Sequence, residues 1–279
     1  MKKETVTKAI EKFVTGVWVP EHTDTQHFYR HVPSGALVAS VTSKMILEKE
    51  HLRPWAVRVG VEWLEKEDRW QKYLESKGAQ TNEYLKGAIL AHTDIRDDAG
   101  SVGSAVHHAA ESFINEWIAS GTKPEDIIKY IPEDKKADGR VVAGARSVKK
   151  LFDDRPHVVP VASELLVGSL RIGSAGTLDL LVLNDGTLEI WDFKTSNSID
   201  PIGYSMQIAA YSHMFNSMTK LRPLGHRVVK ISKDYDRVDL YRLKGYVMAL
   251  RCFEYMSKVY DLIKSNSFTL ERDVPKIVL

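Results

Sequence analysis

The chain has 279 residues, of which 43% are hydrophobic and 27% are charged, and its formal net charge is +2. This composition is typical of a folded globular protein and excludes a low-complexity or disordered chain. The single cysteine, Cys252, excludes an intramolecular disulfide framework and four-cysteine zinc or iron–sulfur sites.

The N-terminal segment MKKETVTKAIEKFV is charged throughout and has no apolar signal segment. It contains acids and no arginine, which disfavours a mitochondrial presequence. No apolar run in the sequence approaches the length of a membrane span. We therefore expect a protein without membrane association, in the cytoplasm of a bacterial or phage-infected cell.

The first half of the chain is predicted to contain a strand pair followed by helices. Turn residues and helical spacing predict strand–turn–strand over 27–42 and helices over about 44–66, 69–95 and 104–120. Thr42 or Ser43 is the expected N-cap of the first helix, which Pro54 would kink or interrupt. Gly78 is expected to break the second helix, and the polar segment DIRDDAGSVGS would lead into the third.

The second half is predicted to contain the sheet. The expected elements are a loop with one short helix over 123–139, a sheet region over about 157–195, a strand pair over about 226–243 and a closing helix over about 245–265. A further helix is expected after Asp200, the predicted N-cap, with Pro201 at the first helical position. These elements predict an α/β (α+β) fold, in which helices flank one central mixed sheet and a helical insertion precedes it.

One hairpin carries charged residues among apolar ones. The segment GTLDLLVLNDGTLEIWDFKTS at 176–196 reads as two strands around an Asn-Asp-Gly turn. If the turn has two residues, Asp179 lies directly opposite Asp192. Strand side chains alternate between faces, so both carboxylates project from one side, with β-carbons about 5 Å apart. Lys194 emerges on that side too.

Two facing carboxylates on a half-buried sheet repel each other, and each resists desolvation. A divalent cation compensates directly, because hard ions such as Mg²⁺ take carboxylate and phosphate oxygens as ligands. Lys194 alone would pair with only part of the charge. The alternative is a buried Asp–Lys–Asp ion cluster without catalysis, and we favour the metal site.

Four segments together resemble the PD-(D/E)XK nuclease superfamily, and its RecB-like branch in particular. Asp179 with Asp192-Phe193-Lys194 is similar to the superfamily's catalytic signature, and GTLD at 176–179 to the branch's second motif. GSAVHHAAE at 103–111 is similar to its G-x-x-x-H-x-x-x-E helix motif. Gln207 and Tyr211 are similar to its Q-x-x-x-Y motif on the helix after the catalytic strand.

Within the branch, the chain resembles mitochondrial genome maintenance exonucleases and related phage exonucleases, which share the Ser40-Val41-Thr42 entry before the first helices. The cysteines of the iron–sulfur relatives are absent, and Leu178 replaces the proline that names the superfamily. The resemblance implies a single nuclease domain over 1–279, with a helical arch-like region at 44–100 and a catalytic core at 103–265.

The resemblance also implies phosphodiester hydrolysis with one or two Mg²⁺ or Mn²⁺ ions and no iron–sulfur cluster. The implied metal ligands are His107, Asp179, Asp192 and the Phe193 carbonyl, and an imidazole ligand suits Mn²⁺ better than Mg²⁺. Asp179, Asp192 and Lys194 form the implied catalytic set. Lys194 would orient the attacking water or stabilise the transition state.

Supporting residues are expected around this centre. Glu111 is expected to orient His107 through a hydrogen bond, with a solvent-exposed ion pair as the alternative. By pattern alone His107 also fits a core or boundary position. Its neighbour His108 cannot point at the site together with it. Glu164, on the strand before the hairpin, is expected to reach a metal through water.

Further polar residues are expected to contact DNA. Gln207 and Tyr211 lie one turn apart on a helix, so they share a face and would contact the DNA backbone, buttress Lys194 or simply pack. The other expected DNA-binding residues are Ser40, Thr42, Ser43, Thr195 and Ser196. Plain N-capping explains the first three of these equally well.

We predict a metal-dependent DNA exonuclease that acts from DNA ends in replication, recombination or repair. The alternatives are a structure-specific or restriction-type endonuclease on the same core and a catalytically inactive nucleic-acid-binding relative. The expected partner is DNA, single-stranded or at its ends, and a single-strand annealing or binding protein is a second candidate. Residues 220–258 contain ten basic and four acidic residues, which indicates either a polyanion footprint or an ordinary solvated surface.

Overall fold

The computed structural model describes residues 1–23, 27–45, 52–66, 69–76, 81–234 and 236–265. In chain order its helices and strands are α1 (Lys3–Phe13), β1 (Trp18–His22), β2 (His27–His31), β3 (Leu37–Ser40), α2 (Val41–Lys44), α3 (Leu52–Glu65), α4 (Arg69–Glu75), α5 (Thr81–Ser120), α6 (Gly139–Asp153), β4 (Val158–Ser169), β5 (Ser174–Asn184), β6 (Thr187–Lys194), α7 (Pro201–Thr219), β7 (Gly225–Ile231), β8 (Val238–Arg242) and α8 (Tyr246–Lys264). Two short 3₁₀ turns, Ile128–Tyr130 and Glu133–Lys135, lie between α5 and α6.

The eight strands form one mixed sheet in the order β1-β2-β3-β5-β6-β7-β8, with β4 paired to β5. β4 follows one edge of β5 over its whole length, from Ser174 to Asn184. β3 and β6 must therefore share the other edge. β3 pairs there only with Ser174 and Ala175, and β6 only with Leu180 to Asn184. The ladder on this edge has a gap over 176–179, where the GTLD sequence lies.

Both faces of the sheet are covered by helices. On one face, residues of α5 and α6 pack with Leu180 and Val182 of β5 and with Trp191 and Phe193 of β6. On the other face, α1 and α7 pack against the alternate residues of the same strands, which include Leu181, Leu183, Leu188 and Ile190. The predicted class, a central mixed sheet flanked by helices, is confirmed.

Helix α5 corrects the predicted boundary in the first half. The polar segment DIRDDAGSVGS was expected to separate two helices, yet residues 94–104 are helical and α5 runs unbroken for 40 residues, about 60 Å. Packing outweighs the low helix propensity of glycine here. Gly103 faces the end of β6, and a β-carbon at this position would lie 2.7 Å from the Thr195 hydroxyl. The glycine lets the helix approach the sheet edge closely.

The N-terminal elements differ from the prediction at two points. The strand pair over 27–42 is confirmed as β2 and β3, but α1 and β1 were not predicted. The N-cap before the first predicted helix is Ser40, and neither Thr42 nor Ser43. Its hydroxyl accepts the amide hydrogen of Ser43, and the capped helix α2 has only four residues. The predicted break near Gly78 lies outside the described residues.

The second half agrees more closely with the prediction. Asp200 caps α7, with its carboxylate 3.0 Å from the amides of Ile202 and Gly203, and Pro201 opens the helix. The strand pair β7–β8 and the closing helix α8 are confirmed. Helix α6 was not predicted, although Asp138 caps it and its buried residues recur at helical spacing.

The helices before the core form a hairpin of their own. α3 packs along the first turns of α5, where Trp63 covers Gly87 so closely that any side chain there would collide with the indole. The guanidinium of Arg69 lies 4.2 Å from the centre of the same ring. The division into an arch at 44–100 and a core at 103–265 remains a prediction, and α5 runs across it. None of the helices in the described ranges is both long enough and apolar enough to span a membrane.

Candidate metal centre

The predicted hairpin register is observed. Asn184 pairs with Thr187, and the ladder continues to Leu180 opposite Trp191, so the next position places Asp179 opposite Asp192. Asp192 follows the strand alternation of Leu188 and Ile190 under α7, whereas Asp179 lies between Leu178 of that layer and Leu180 of the α5 layer. The charges of both acids act on Lys194, so both carboxylates lie near its ammonium. The backbone ladder stops at this position.

Beyond the end of the ladder, the Asp179 side chain replaces a backbone carbonyl as the hydrogen-bond acceptor. Its Oδ2 accepts the amide hydrogen of Phe193 at 2.7 Å. This bond uses one carboxylate oxygen to close the gap between β5 and β6. It also fixes Asp179 beside the end of β6, next to Asp192 and Lys194.

Asp192 is the most constrained acid in the group. Its side chain is 1% exposed, and neither carboxylate oxygen has a hydrogen-bond partner among the described residues. The ammonium of Lys194 lies 2.5 Å from Oδ2, but at angles outside hydrogen-bond geometry. Burial raises the pKa of Asp192 to about 7, and the charge of Asp179 adds to this effect while Lys194 opposes it.

Lys194 remains positively charged in this setting. Burial would lower its pKa, but the carboxylates of Asp192 and Asp179 outweigh burial and raise the pKa above its ordinary value. The aromatic ring of Tyr204 on α7 lies 5.0 Å from the ammonium and adds a cation–π contact. The two carboxylates and Tyr204 therefore hold the Lys194 ammonium at a defined place at the carboxyl end of β6.

A second group of ligands lies beside Asp179. His107, Glu164 and Asp179 each offer one side-chain ligand atom, and these three atoms lie within 4.8 Å of one another. His107 Nδ1 is 3.9 Å from Asp179 Oδ2. His107 comes from α5 and Asp179 from β5, so the group joins the long helix to the sheet.

Glu164 joins this group through the β4–β5 register. Ser163 opposes Leu180 and Leu165 opposes Leu178, so Glu164 lies opposite Asp179. Its φ angle of 47° is unusual for a residue other than glycine, and such conformations cost roughly 1–3 kcal/mol and are frequent at functional sites. A strained residue in the middle of a strand is evidence that its side-chain position matters.

The environment of Glu164 favours its neutral form. Burial raises its pKa to about 8, and the charges of Asp179, Glu111 and Asp192 act in the same direction. A bound cation would reverse this balance, because it is attracted to all of these carboxylates. An imidazole nitrogen and several carboxylate oxygens are a donor set that suits a divalent ion such as Mn²⁺. The residues present therefore fit a divalent metal.

An open cleft of about 490 Å³ gives solvent access to the centre. Glu111, His108 and Thr195 line it together with the residues of the ligand group. His108 lines the cleft but is outside the ligand group, so only His107 of the histidine pair joins it. No hydrogen bond joins the described side chains of Glu111 and His107, and the orienting role of Glu111 remains a prediction.

Gln207 and Tyr211 lie behind the centre and are both buried. The Gln207 amide donates to the Tyr211 hydroxyl at 3.3 Å. The Tyr211 ring packs against Gly176, where a β-carbon would lie 2.9 Å from the ring. This contact explains the glycine of the GTLD sequence. The two side chains share one helix face as predicted, and their DNA-contacting or buttressing role remains a prediction.

The predicted DNA-binding hydroxyl groups fall into two places. Ser40, Thr42 and Ser43 bond to one another at the start of α2, with Ser40 Oγ 2.8 Å from Ser43 Oγ and 3.1 Å from Thr42 Oγ1. These bonds account for them as capping residues. Thr195 and Ser196 directly follow Lys194, and the Ser196 hydroxyl lies 3.0 Å from the Tyr204 hydroxyl. Contact with DNA remains a prediction for all five.

Two tyrosines at the centre were not predicted. Tyr204 lies over Lys194, and its spacing from Gln207 and Tyr211 on one helix face was an available signal. Tyr29 of β2 lies close to Thr177 of β5, and burial together with the charge of Glu164 raises its pKa. No signal near Tyr29 in the sequence connects it to the centre, because only the sheet order brings β2 close to β5.

Comparison with known proteins defines the family. The model of the PD-(D/E)XK nuclease superfamily matches residues 72–251, and the chain belongs to this superfamily. Its members are nucleases that use divalent metals. A solved structure titled "Crystal structure of SSO0001" is similar at 12% identity and a TM-score of 0.29, over 57% of this chain and 74% of that one. No curated protein matches the chain.

Proposed function

We propose that this chain is a metal-dependent DNA exonuclease of the RecB-like branch, acting from DNA ends in recombination or repair. The observation that carries the proposal is the juxtaposition of a buried, hydrogen-bond-deficient Asp192 and a charged Lys194 with the ligand group of His107, Glu164 and Asp179. A structural ion cluster would satisfy its buried carboxylates with hydrogen bonds, whereas neither oxygen of Asp192 accepts one from a described residue.

In this proposal His107, Asp179, Asp192 and the Phe193 carbonyl hold one or two Mg²⁺ or Mn²⁺ ions, and Glu164 extends the donor set. The metal, when bound, neutralises charge on the scissile phosphate and lowers the pKa of a water molecule. The chain's own residues do the positioning. Lys194, held by Asp192 and Tyr204, donates hydrogen bonds to the attacking water or to the phosphate oxygens.

The open cleft beside α5 supports a strand of DNA as the substrate. The Thr195 side chain and the turns of α5 around Gly103 form its floor. Gly103 leaves the Thr195 hydroxyl close to the helix backbone, so a phosphate in the cleft would meet hydroxyl and imidazole groups. The preference for DNA ends rests on the resemblance to exonucleases, with the helices of 44–100 as the proposed arch.

The experiment compares linear and closed circular DNA. Wild-type protein with Mn²⁺ is incubated with end-labelled linear single strands, linear duplex and closed circular single strands, with Asp192→Ala as the matched inactive control. We expect stepwise loss from linear ends and intact circles. Cleavage of circles would replace the exonuclease by an endonuclease. Binding in EDTA without any cleavage in Mn²⁺ would indicate an inactive nucleic-acid-binding relative.

A further inference from the structure

A second cavity lies at the far end of β6 from Lys194. In the parallel β6–β7 pair, Lys194 opposes Lys230, whereas Ile190 opposes His226, which lines this cavity. His226 is four residues before Lys230 on β7, so the two places are about 13 Å apart along the strand. The cavity has a volume of about 440 Å³ and lies between α7, α8 and the β7–β8 pair.

Two arginines from the basic stretch at 220–258 meet at this cavity. Arg222 precedes β7, and Arg242 ends β8. Neither guanidinium forms an ion pair or a hydrogen bond with a side chain that the structure describes, and no acid is among the described residues that line the cavity. The carboxylates whose charges act on His226 and Tyr246 are already paired, Glu189 with Arg227 at 2.7 Å and Glu254 with Arg171 at 3.2 Å.

The remaining polar groups of the cavity are neutral. Burial lowers the pKa of His226 to about 4, and Arg222 and Arg242 act in the same direction against the pull of Glu189. The uncharged imidazole lies 2.8 Å from the Ser212 hydroxyl and stacks on the ring of Tyr246 at 5.0 Å. The positive charge of the cavity therefore comes from its two guanidinium groups.

We propose that this arginine pocket, formed by Arg222, Arg242, His226 and Tyr246, binds a phosphate group carried by a DNA strand. A guanidinium presents a planar fork of donors that matches phosphate oxygens, and two of them without acidic partners lack a counter-charge. The assignment to phosphate stands on the pocket alone. The assignment to DNA rests on the proposed function, because a nuclease meets long polyphosphates and gains from an anchor outside its cleft.

The test measures binding without cleavage. Fluorescence anisotropy of an end-labelled single strand is recorded in EDTA across a salt series, for wild type, the double variant Arg222→Gln/Arg242→Gln and the control Arg146→Gln. Arg146 is an exposed arginine on α6, on the other side of the sheet. We expect about tenfold or greater weakening in the double variant, and a salt slope smaller by about 0.7. The control should bind as wild type does.

Two further measurements test the role of charge and identify the kind of molecule that carries the phosphate. The charge-preserving variant Arg222→Lys/Arg242→Lys should retain most of the affinity, which separates lost charge from lost folding. Inorganic phosphate and deoxyadenosine monophosphate serve as competitors. If deoxyadenosine monophosphate, titrated directly by calorimetry, binds wild type but not the double glutamine variant, while the strand binds both equally, the phosphate assignment stands and the DNA assignment is overturned.

Equal strand binding by wild type and the double glutamine variant, with no arginine-dependent competition, would overturn the pocket entirely. Equal weakening by Arg146→Gln would also overturn it, since general surface charge would then suffice. Because every arm is read in EDTA, failure of this inference is distinguishable from failure of the nuclease proposal, which is read as cleavage in Mn²⁺.

Discussion

Two buried carboxylates on β6 have opposite surroundings, although Glu189 and Asp192 are three residues apart. Glu189 accepts hydrogen bonds from Arg227, from the Trp191 indole at 2.7 Å and from the Asn184 amide at 3.2 Å. Asp192 has no hydrogen bond to either oxygen among the described residues. β6 thus carries one acid whose oxygens accept hydrogen bonds, here called saturated, and one whose oxygens accept none from the described residues, here called unsaturated. The two acids lie on opposite faces of the strand.

The pKa values follow this difference. Burial would raise the pKa of Glu189, but the hydrogen bonds from Arg227 and Trp191 outweigh burial and lower it. For Asp192, the opposing charge of Lys194 does not outweigh burial together with the charge of Asp179, and its pKa rises to about 7. Two largely buried carboxylates on one strand therefore differ in pKa because of their partners. A saturated acid serves the fold, and an unsaturated one retains donor capacity for a ligand.

The largest expected effect is on cleavage. Asp192→Ala or Lys194→Ala should lower the cleavage rate by at least about 10³-fold, because each removes a charge positioned at the reacting phosphate. Glu189→Gln is the matched control and should keep its rate per folded molecule. The measurement is the initial rate on linear single-stranded DNA in Mn²⁺. A wild-type rate in either site variant would place the chemistry elsewhere.

The second prediction concerns stability, for which Glu189 should matter more than Asp192. Glu189→Ala should lower the free energy of unfolding by about 3 kcal/mol, because it leaves the Arg227 guanidinium half-buried and the Trp191 indole N–H without an acceptor. Asp192→Asn should cost less in metal-free protein, because it removes a buried carboxylate that repels Asp179 and leaves Asp179 to balance the Lys194 ammonium. Urea unfolding in EDTA measures both. A larger loss in Asp192→Asn than in Glu189→Ala would contradict the comparison.

The register of this hairpin was predictable because local chemistry determines it. An Asp-Gly turn and the alternation of apolar residues fix the strand pairing without reference to the rest of the chain. The cap of α7 was predictable for the same reason, since Asp200 and Pro201 act within one helical turn. Glu164 was expected only to reach a metal through water, and its position in the ligand group beside His107 and Asp179 was not predicted. It depends on the β4–β5 register and on a left-handed backbone conformation that no neighbouring residue signals.

Other differences have a tertiary cause. The polar segment DIRDDAGSVGS favoured a break before residue 104, but Gly103 packs closely on Thr195 and α5 is continuous through the segment. The proximity of Tyr29 to the centre required knowledge of the sheet order. Local motifs therefore predicted the strands of the candidate metal centre, and long-range packing decided which further side chains surround them.

The smallest expected effect concerns pH and metal, and it sharpens the comparison between saturated and unsaturated acids. The folded pKa of Glu164 is raised to about 8 from an ordinary 4.5. A raised pKa means that its contribution to stability is full below about pH 4.5 and is lost as the pH rises through about 8. Glu189, whose pKa is lowered, contributes in the opposite sense and loses its contribution in acid.

Metal-free protein should therefore melt at a lower temperature at pH 9 than at pH 6, and Glu164→Gln should reduce this difference. Because solvent also reaches the partly buried Glu164 side chain and screens its charge, we expect a change of about 2–4 °C, which corresponds to roughly 1 kcal/mol in a large domain. Mn²⁺ should raise the melting temperature more at pH 9 than at pH 6, since it binds the deprotonated carboxylates of the folded state. Differential scanning fluorimetry with and without EDTA measures both. An equal Mn²⁺ shift in wild type and Glu164→Gln at both pH values would remove Glu164 from the metal centre, and the ligand set would then comprise His107, Asp179, Asp192 and the Phe193 carbonyl.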